Sequence, residues 1–194
     1  DSFDINGANE ITIGVNQAAK LSLNYEGEAN MSNFTWTSSR QSIVRVKNGE
    51  IFGVSPGTAN VTVRTPSSSK TVTVRVVESN TVLGTPNITF GTIVGANNNL
   101  VKAQGEVDVN AGQRFNLEIV TDPWYYVYSQ NSGLKLKWKS TDPTVATVDQ
   151  NGLVTTLEKW GSTSITATIM NGDEETAYAA TVTLNVQEPF TISN

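Results

Sequence analysis

The stretch WTSSRQSIVRVKNGEIFGVSPGTANVTV at residues 36–63 recurs later in the chain as WKSTDPTVATVDQNGLVTTLEKWGSTSITA at residues 138–167. Two single-residue insertions are enough to align the two stretches. The coincident positions include a tryptophan, the serine two residues after it, a valine, an Asn-Gly pair and a later glycine. A repeat of this length and order indicates that the chain contains two copies of one structural unit.

The residue types in both copies favour short β-strands joined by tight turns. In NVTVRT (60–65) and SITATI (164–169), apolar and polar residues alternate, which places the apolar residues on one face of a strand. An Asn-Gly pair tolerates the positive φ of a tight hairpin turn. The pattern predicts an all-β chain of two tandem sandwiches, with Trp36 in the core of one and Trp138 in the core of the other. Truncation of either tryptophan to alanine is expected to lower the free energy of unfolding by about 3–5 kcal/mol.

The match extends beyond the tryptophan stretches and sets the predicted domain limits. Upstream, NQAAKLSL (16–23) is aligned with NAGQRFNL (110–117), and apolar alternation follows both copies downstream. We place one domain at residues 1–79 and the other at residues 80–194. The second domain therefore begins with additional sequence, in which NITFGTIV indicates an added edge strand and GANNN indicates a turn.

Composition excludes several classes of function. The formal net charge is -5 and the pI is about 4.7, so no basic surface is available for nucleic acid. The longest apolar run is far shorter than the roughly 20 residues needed to cross a bilayer, and no transmembrane segment is predicted in this chain. Histidine and cysteine are both absent, which rules out Ser-His-Asp and Cys-His nucleophiles and metal sites with nitrogen or sulfur ligands.

No cofactor, metal site or catalytic residue is predicted. NGDEE (171–175) is interpreted as a solvated hairpin tip, and the alternative, a calcium site, lacks the ligand spacing of an EF-hand loop. The chain starts with DSFDING and no Met, which fits a processed or truncated chain whose export signal would have been removed.

The shared motif resembles the bacterial immunoglobulin-like domain of group 2. It consists of Trp-x-Ser-(Ser/Thr), an apolar pair before a valine, Asn-Gly, and a small-residue turn ending in Gly-(Thr/Ser). The resemblance covers roughly residues 10–78 and 105–187. It implies a β-sandwich of the kind repeated in extracellular and surface proteins of bacteria, including adhesins and invasin-like proteins, and it implies no catalytic residues.

On this resemblance we expect a noncatalytic module that is exported to the cell surface or secreted by a bacterium. It would act in adhesion or as a spacer, with a host or bacterial surface protein or a glycan as its partner. The alternative is an accessory carbohydrate-binding module of a larger enzyme or of a polysaccharide-uptake system. Fold resemblance alone does not choose between these functions.

The run DPWYYVYSQ (122–130) lies outside the shared motif, because the second copy has more residues before its tryptophan than the first. One interpretation is a contact platform for a glycan or protein, since aromatic side chains are enriched at interface hot spots. The other is packing against the neighbouring domain or over the open end of the sandwich. The candidate ligand-binding residues are Trp124, Tyr125, Tyr126 and Tyr128, with Asp122, Gln130 and Trp160 beside them.

Overall fold

The computed structural model describes residues 2–26, 33–129 and 134–188. In these residues the regular structure is mainly β, with a 3₁₀ helix at Trp124–Tyr128, and none of their helices has the length and hydropathy of a membrane span. Contacts divide the chain into two compact units. Unit 1 comprises Asp1–Thr85 and Tyr125–Gly133, and unit 2 comprises Pro86–Trp124 and Leu134–Asn194. The domain limits at residues 79 and 80 stay a prediction.

Unit 1 is built from two main sheets. Its described strands are β1 (Phe3–Ile5), β2 (Glu10–Gly14), β3 (Ala18–Lys20), β4 (Leu23–Tyr25), β5 (Thr35–Ser38), β6 (Val44–Lys47), β7 (Glu50–Gly53), β8 (Gly57–Arg64) and β9 (Ser69–Val77). One sheet has the order β2-β9-β8-β5 and the other the order β3-β7-β6, while β1 pairs with β4. The strand β2 runs parallel to β9, and the remaining pairs are antiparallel.

Unit 2 repeats this arrangement and adds one hairpin. Its described strands are β10 (Asn87–Phe90), β11 (Thr92–Val94), β12 (Leu100–Lys102), β13 (Gly105–Asn110), β14 (Arg114–Asn116), β15 (Ile119–Asp122), β16 (Lys135–Ser140), β17 (Ala146–Val148), β18 (Leu153–Thr156), β19 (Gly161–Asn171) and β20 (Glu174–Gln187). The sheets have the orders β13-β20-β19-β16 and β14-β18-β17. The strand β10 pairs with β15, and β11 pairs with β12.

Each unit buries its own set of alternating apolar residues. In β8 the fully buried Val61 and Val63 alternate with more exposed residues, and Ile165 and Ala167 do the same in β19. One buried cluster lies in unit 1 and a separate one lies in unit 2. The prediction of an all-β chain with two sandwich domains is confirmed.

The two tryptophans differ in burial. Trp138 is only 6% exposed, and its ring stacks on that of Phe90 with centroids 5.7 Å apart. Trp36 packs against the core cluster of unit 1 but is half-buried. The residue of unit 1 that corresponds to Phe90 is Ile5, because each is the last residue of its strand, β10 or β1. Unit 1 therefore has a smaller side chain at this position. The predicted core position is confirmed for Trp138, and the loss expected for truncating Trp36 becomes smaller.

The upstream alignment made from the sequence is wrong by two residues. The Leu21 amide donates to the Gly49 carbonyl at 2.7 Å, and the Leu117 amide donates to the Gly152 carbonyl at 2.9 Å. Leu21 is therefore the equivalent of Leu117, whereas the sequence alignment had paired Leu23 with it. The edge strands here are three residues long, too short for their alternation to define the register.

The added segment of the second domain contains one familiar strand and one new hairpin. The strand β10 is the counterpart of β1. In unit 1, β1 pairs antiparallel with β4, the strand after β3, and in unit 2, β10 pairs antiparallel with β15, the strand after β14. The hairpin β11–β12 has no described counterpart, since residues 6–9 alone connect β1 to β2. NITFGTIV therefore forms two strands separated by Gly91 rather than one, and the predicted turn at residues 95–99 joins β11 to β12.

The glycine of the Asn-Gly turn packs on the tryptophan of its own unit. Gly152 has a φ of +82°, and a Cβ atom built there would lie 2.7 Å from Trp138 Cζ2. We expect Gly152→Ala to destabilise unit 2 by about 1–3 kcal/mol more than Gly112→Ala, because the added methyl group forces the indole to move. Gly112 is the matched control, since its φ is +73° and a Cβ there meets nothing within 4 Å. Urea unfolding of both variants measures the difference, and equal losses would contradict the proposed contact.

Candidate functional site

The predicted aromatic residues form a single 3₁₀ helix, Trp124–Tyr128, here called the aromatic segment. It follows β15, and none of its residues is fully buried. By contacts, Trp124 belongs to unit 2, while Tyr125–Gly133 groups with unit 1. The segment therefore lies in the sequence of the second copy but contributes most of its side chains to unit 1.

Tyr125 packs on the outer face of the three-stranded sheet of unit 1. Its ring stacks on Phe52 with centroids 4.5 Å apart and planes 12° from parallel. In β7, Ile51 belongs to the buried core cluster, so its neighbour Phe52 points to the opposite face of the sheet. Phe52 is nevertheless 0% exposed, which is unusual for an outward position. The aligned residue of unit 2 is Thr155, a polar residue suited to an uncovered face.

The ring of Tyr128 lies against the positively charged side chain of Arg45, which neighbours Phe52. Arg45 is the cross-strand neighbour of Phe52 on β6, and its guanidinium carbon lies 4.1 Å from the centre of the Tyr128 ring. The Arg45 Nη1 atom also donates to Gln41 Oε1 at 2.9 Å. A cation this close to an aromatic face is stabilised by the ring quadrupole. The two tyrosines thus cover adjacent positions of one sheet face.

A buried hydrogen-bond network accompanies these ring contacts. Asn16 is 2% exposed, and its Oδ1 atom accepts a 2.9 Å hydrogen bond from the Ser129 hydroxyl. The Asn16 side-chain amide donates to the Thr81 carbonyl at 2.9 Å, and its backbone amide donates to the Gly53 carbonyl at 2.8 Å. Asn16 therefore connects three stretches of unit 1 that are distant in sequence.

We expect Asn16→Gly to lower the free energy of unfolding of unit 1 by about 1–3 kcal/mol, because Ser129 and Thr81 lose a buried partner. Glycine accepts the backbone at this site, where φ is +64°, and the equivalent turn of unit 2 carries Gly112 with φ of +73°. The turn geometry is therefore kept, and the loss combines the side-chain hydrogen bonds with the greater entropy of glycine in the unfolded chain, which contributes about 0.4–1 kcal/mol. Urea unfolding measures it, and a variant as stable as the parent chain would show that the network adds nothing.

The remaining described residues of the predicted site are divided between the two units. Asp122 is exposed at the end of β15, and Tyr126 is half-buried, with its carbonyl accepting the Ser129 amide at 3.1 Å. Trp160 is 54% exposed and lies in unit 2 between β18 and β19. Gln130 lies outside the described residues.

Sequence reasoning missed the residues that receive the aromatic segment, namely Phe52, Arg45 and Asn16. A signal for one of them was present. Phe52 follows Ile51 directly in a strand, so one of these two large apolar residues had to face outward. A segment that covers such an outward ring gains the free energy of burying its apolar surface.

Titratable groups with shifted pKa values lie on the surface of unit 2, away from the aromatic segment in sequence. The Thr144 hydroxyl and then its backbone amide donate to Asp142 and lower the pKa of that carboxyl. The hydrogen bond from Lys137 lowers the pKa of Glu175. Lowered carboxyl pKa values stabilise the fold above the unfolded-state pKa, and this contribution disappears as the pH falls through the folded-state pKa. Among the described residues no group of three or more acidic side chains is placed to hold a metal ion.

Comparison with known families gives a match in the second copy. Residues 125–184 match the family model described as Bacterial Ig-like domain (group 2). The predicted resemblance is confirmed for this part of the second copy. The matched segment runs from the aromatic segment through β19 and most of β20. No curated protein matches the chain.

Solved structures that the chain matches at low identity include the following three proteins. The S-layer protein rSbsC(31-844) is 20% identical over 90% of this chain and 24% of its own, with a TM-score of 0.33. The C-terminal 282-residue fragment of intimin, in complex with the intimin-binding domain of Tir, is 14% identical over 95% and 63%, with a TM-score of 0.33. Invasin, described as a bacterial integrin-binding protein, is 13% identical over 95% and 38%, with a TM-score of 0.34. The present chain thus spans about a quarter of the S-layer fragment.

Proposed function

We propose that this chain is a noncatalytic module at the bacterial cell surface or in a secreted protein, where its two sandwiches act as a spacer that supports adhesion to a protein or glycan. The family match supports an immunoglobulin-like module of this kind. The observation that carries the spacer role is the packing of Tyr125 on Phe52 and of Tyr128 against Arg45. Rings engaged in this way stabilise the module, and this favours the packing interpretation of the aromatic segment over a ligand platform.

A noncatalytic role is also supported by the chemistry available to the chain. The sequence has no histidine and no cysteine, so the common nucleophile and base pairs are absent. Both carboxyl groups with shifted pKa values have pKa values below the ordinary range. A general acid needs the opposite shift, toward the working pH.

Protease treatment of intact cells tests the location. An antibody against the purified chain is expected to label intact cells of the bacterium that encodes it, or to detect the chain in the culture medium. Brief proteolysis of intact cells should remove a surface-bound signal without touching a cytoplasmic control protein. Signal that appears only after lysis would contradict the proposal.

Replacement of the chain within its parent protein tests the spacer role. Two unrelated immunoglobulin-like domains of matched length should retain most cell adhesion, whereas deletion of the chain should reduce it. Both variants lack the surface of this chain, and only the replacement keeps the length of the parent protein. Comparing them therefore separates the effect of spacer length from the effect of direct binding by the chain. Loss of adhesion in both variants would show that the chain itself carries the contact surface.

A further inference from the structure

A polar cleft opens in unit 2 between the hairpin β11–β12 and the edge strand β13. Its volume is about 480 Å³, within the range of roughly 300–1,000 Å³ typical of small-ligand sites. The hairpin tip and β12 form one wall, and β13 forms the other. The polar side chains that line it are Asn97, Asn99, Lys102, Gln104, Glu106 and Asp108, with Gln187 from β20.

The hairpin wall is held in place by hydrogen bonds to β13. The Ala96 amide donates to the Asp108 carbonyl at 2.8 Å, and the Asn110 side chain donates to the Ala96 carbonyl at 3.3 Å. Within the tip, the Gly95 amide donates to the Asn99 carbonyl at 2.9 Å. A cleft fixed in this way loses little conformational entropy when a ligand binds.

Most of the polar groups in the cleft have no partner within the chain. Among the described residues, the side chains of Asn99, Lys102 and Glu106 form no hydrogen bond or ion pair, and the same holds for the other amides of the tip and of the β12–β13 connection. Asp108 has one 3.3 Å contact, from the Asn185 side chain. The half-buried Val101 on β12 supplies a small apolar floor. The cleft therefore offers donors, acceptors and an apolar patch together.

The cleft is a departure from the shared domain. All of its lining residues fall outside residues 125–184, the segment that matches the family model. In unit 1 the hairpin is replaced by the short connection of residues 6–9. Glu10 of unit 1 is equivalent to Glu106 of unit 2. Glu10 pairs with Thr73, Glu106 pairs with Thr183, and these two threonines are aligned in the repeat. The same edge strand thus occurs once with the cleft and once without it.

We propose that this cleft binds a short uncharged saccharide. Carboxylates accept hydrogen bonds from sugar hydroxyls, and side-chain amides both donate and accept, so together they suit adjacent hydroxyl groups. The carboxylates of Glu106 and Asp108 (−2) and the ammonium of Lys102 (+1) give a net charge of −1, which disfavours anionic ligands. The valine floor suits the C–H face of a pyranose ring. The site goes beyond the proposed surface function, and either proposal can fail alone.

Titration of the full chain with neutral disaccharides tests the site. The neutral probes are cellobiose, maltose, lactose, mannobiose and chitobiose, and the anionic comparison is sialyllactose. Binding of each probe is monitored by the amide chemical shifts of ¹⁵N-labelled protein. At least one neutral probe is expected to shift the amides of residues 95–108, and sialyllactose is not. The double variant Asn99→Ala, Glu106→Ala should weaken binding at least tenfold.

The matched control is Glu10→Ala, at the equivalent edge position of unit 1, which should leave the affinity unchanged. Both altered side chains of the double variant are exposed, and thermal unfolding verifies that it folds. Three results would overturn the proposal. The first is no shift with any neutral probe at about 10 mM, a concentration above the Kd expected of a specific site. The others are shifts confined to residues outside the cleft and unchanged binding in the double variant. Stronger shifts with extended peptides than with any saccharide would also reject it, in favour of strand addition at β13.

Discussion

Replacing Trp138 by alanine is expected to lower the free energy of unfolding of unit 2 by about 3–5 kcal/mol. The side chain is 6% exposed, stacks on Phe90 and rests against Gly152, so its removal leaves a cavity lined by groups that cannot all move inward. The control is Trp160→Ala, which removes the same side chain from a site that is 54% exposed. That variant should remain within about 0.5 kcal/mol of the parent chain.

Hydrogen exchange measured by mass spectrometry on the full chain reads each unit separately, which matters because two domains need not unfold together. Faster exchange is expected in β16 and β19 for Trp138→Ala, with β8 of unit 1 much less affected. Similar effects for the two tryptophan variants would mean that Trp138 does not anchor the core.

Replacing Phe52 by alanine is expected to destabilise unit 1 by a similar amount, about 3–5 kcal/mol. Phe52 is fully buried although it lies on the outer face of its sheet, because Tyr125 covers it. Phe52→Leu keeps apolar volume but removes the ring stack, so a smaller loss of about 1–1.5 kcal/mol is expected. Thr155→Ala, at the aligned position of unit 2, is the control and should have little effect.

A double-mutant cycle with Tyr125→Ala distinguishes the stack from burial alone. If the two rings stabilise each other, the double variant should lose less than the sum of the single losses, by about 0.5–1.5 kcal/mol. Hydrogen exchange of the β7 amides measures each loss in the full chain. Strictly additive losses would show that Phe52 and Tyr125 do not interact.

The two experiments examine residues that differ in how well the sequence predicts them. Trp138 is part of the repeated motif, and its place in the core was predicted. Phe52 was not singled out, because the motif at its position contains no shared residue type. Trp36 shows that the repeat does not predict how deeply a residue is buried, since the same motif position is half-buried in unit 1 and buried in unit 2.

The candidate site was predicted less well than the fold. The sequence identified the aromatic segment as an elaboration outside the common core but left open whether it binds a ligand or packs. Tyr125 and Tyr128 contact residues of unit 1, a result that favours packing. The polar cleft was not foreseen, because its walls come from two strands and its amide and carboxylate residues look individually like ordinary surface.

The sequence by itself determined the all-β class, the tight Asn-Gly turns and the presence of two copies, because strand alternation and turn chemistry are local properties of the chain. Only the tertiary structure decided that Tyr125 meets Phe52, that Ser129 meets Asn16, and that the hairpin β11–β12 forms a cleft with β13. These contacts depend on how finished sheets and loops pack together. Local residue patterns carry little information about such packing, since many partners of similar shape and polarity satisfy the same pattern.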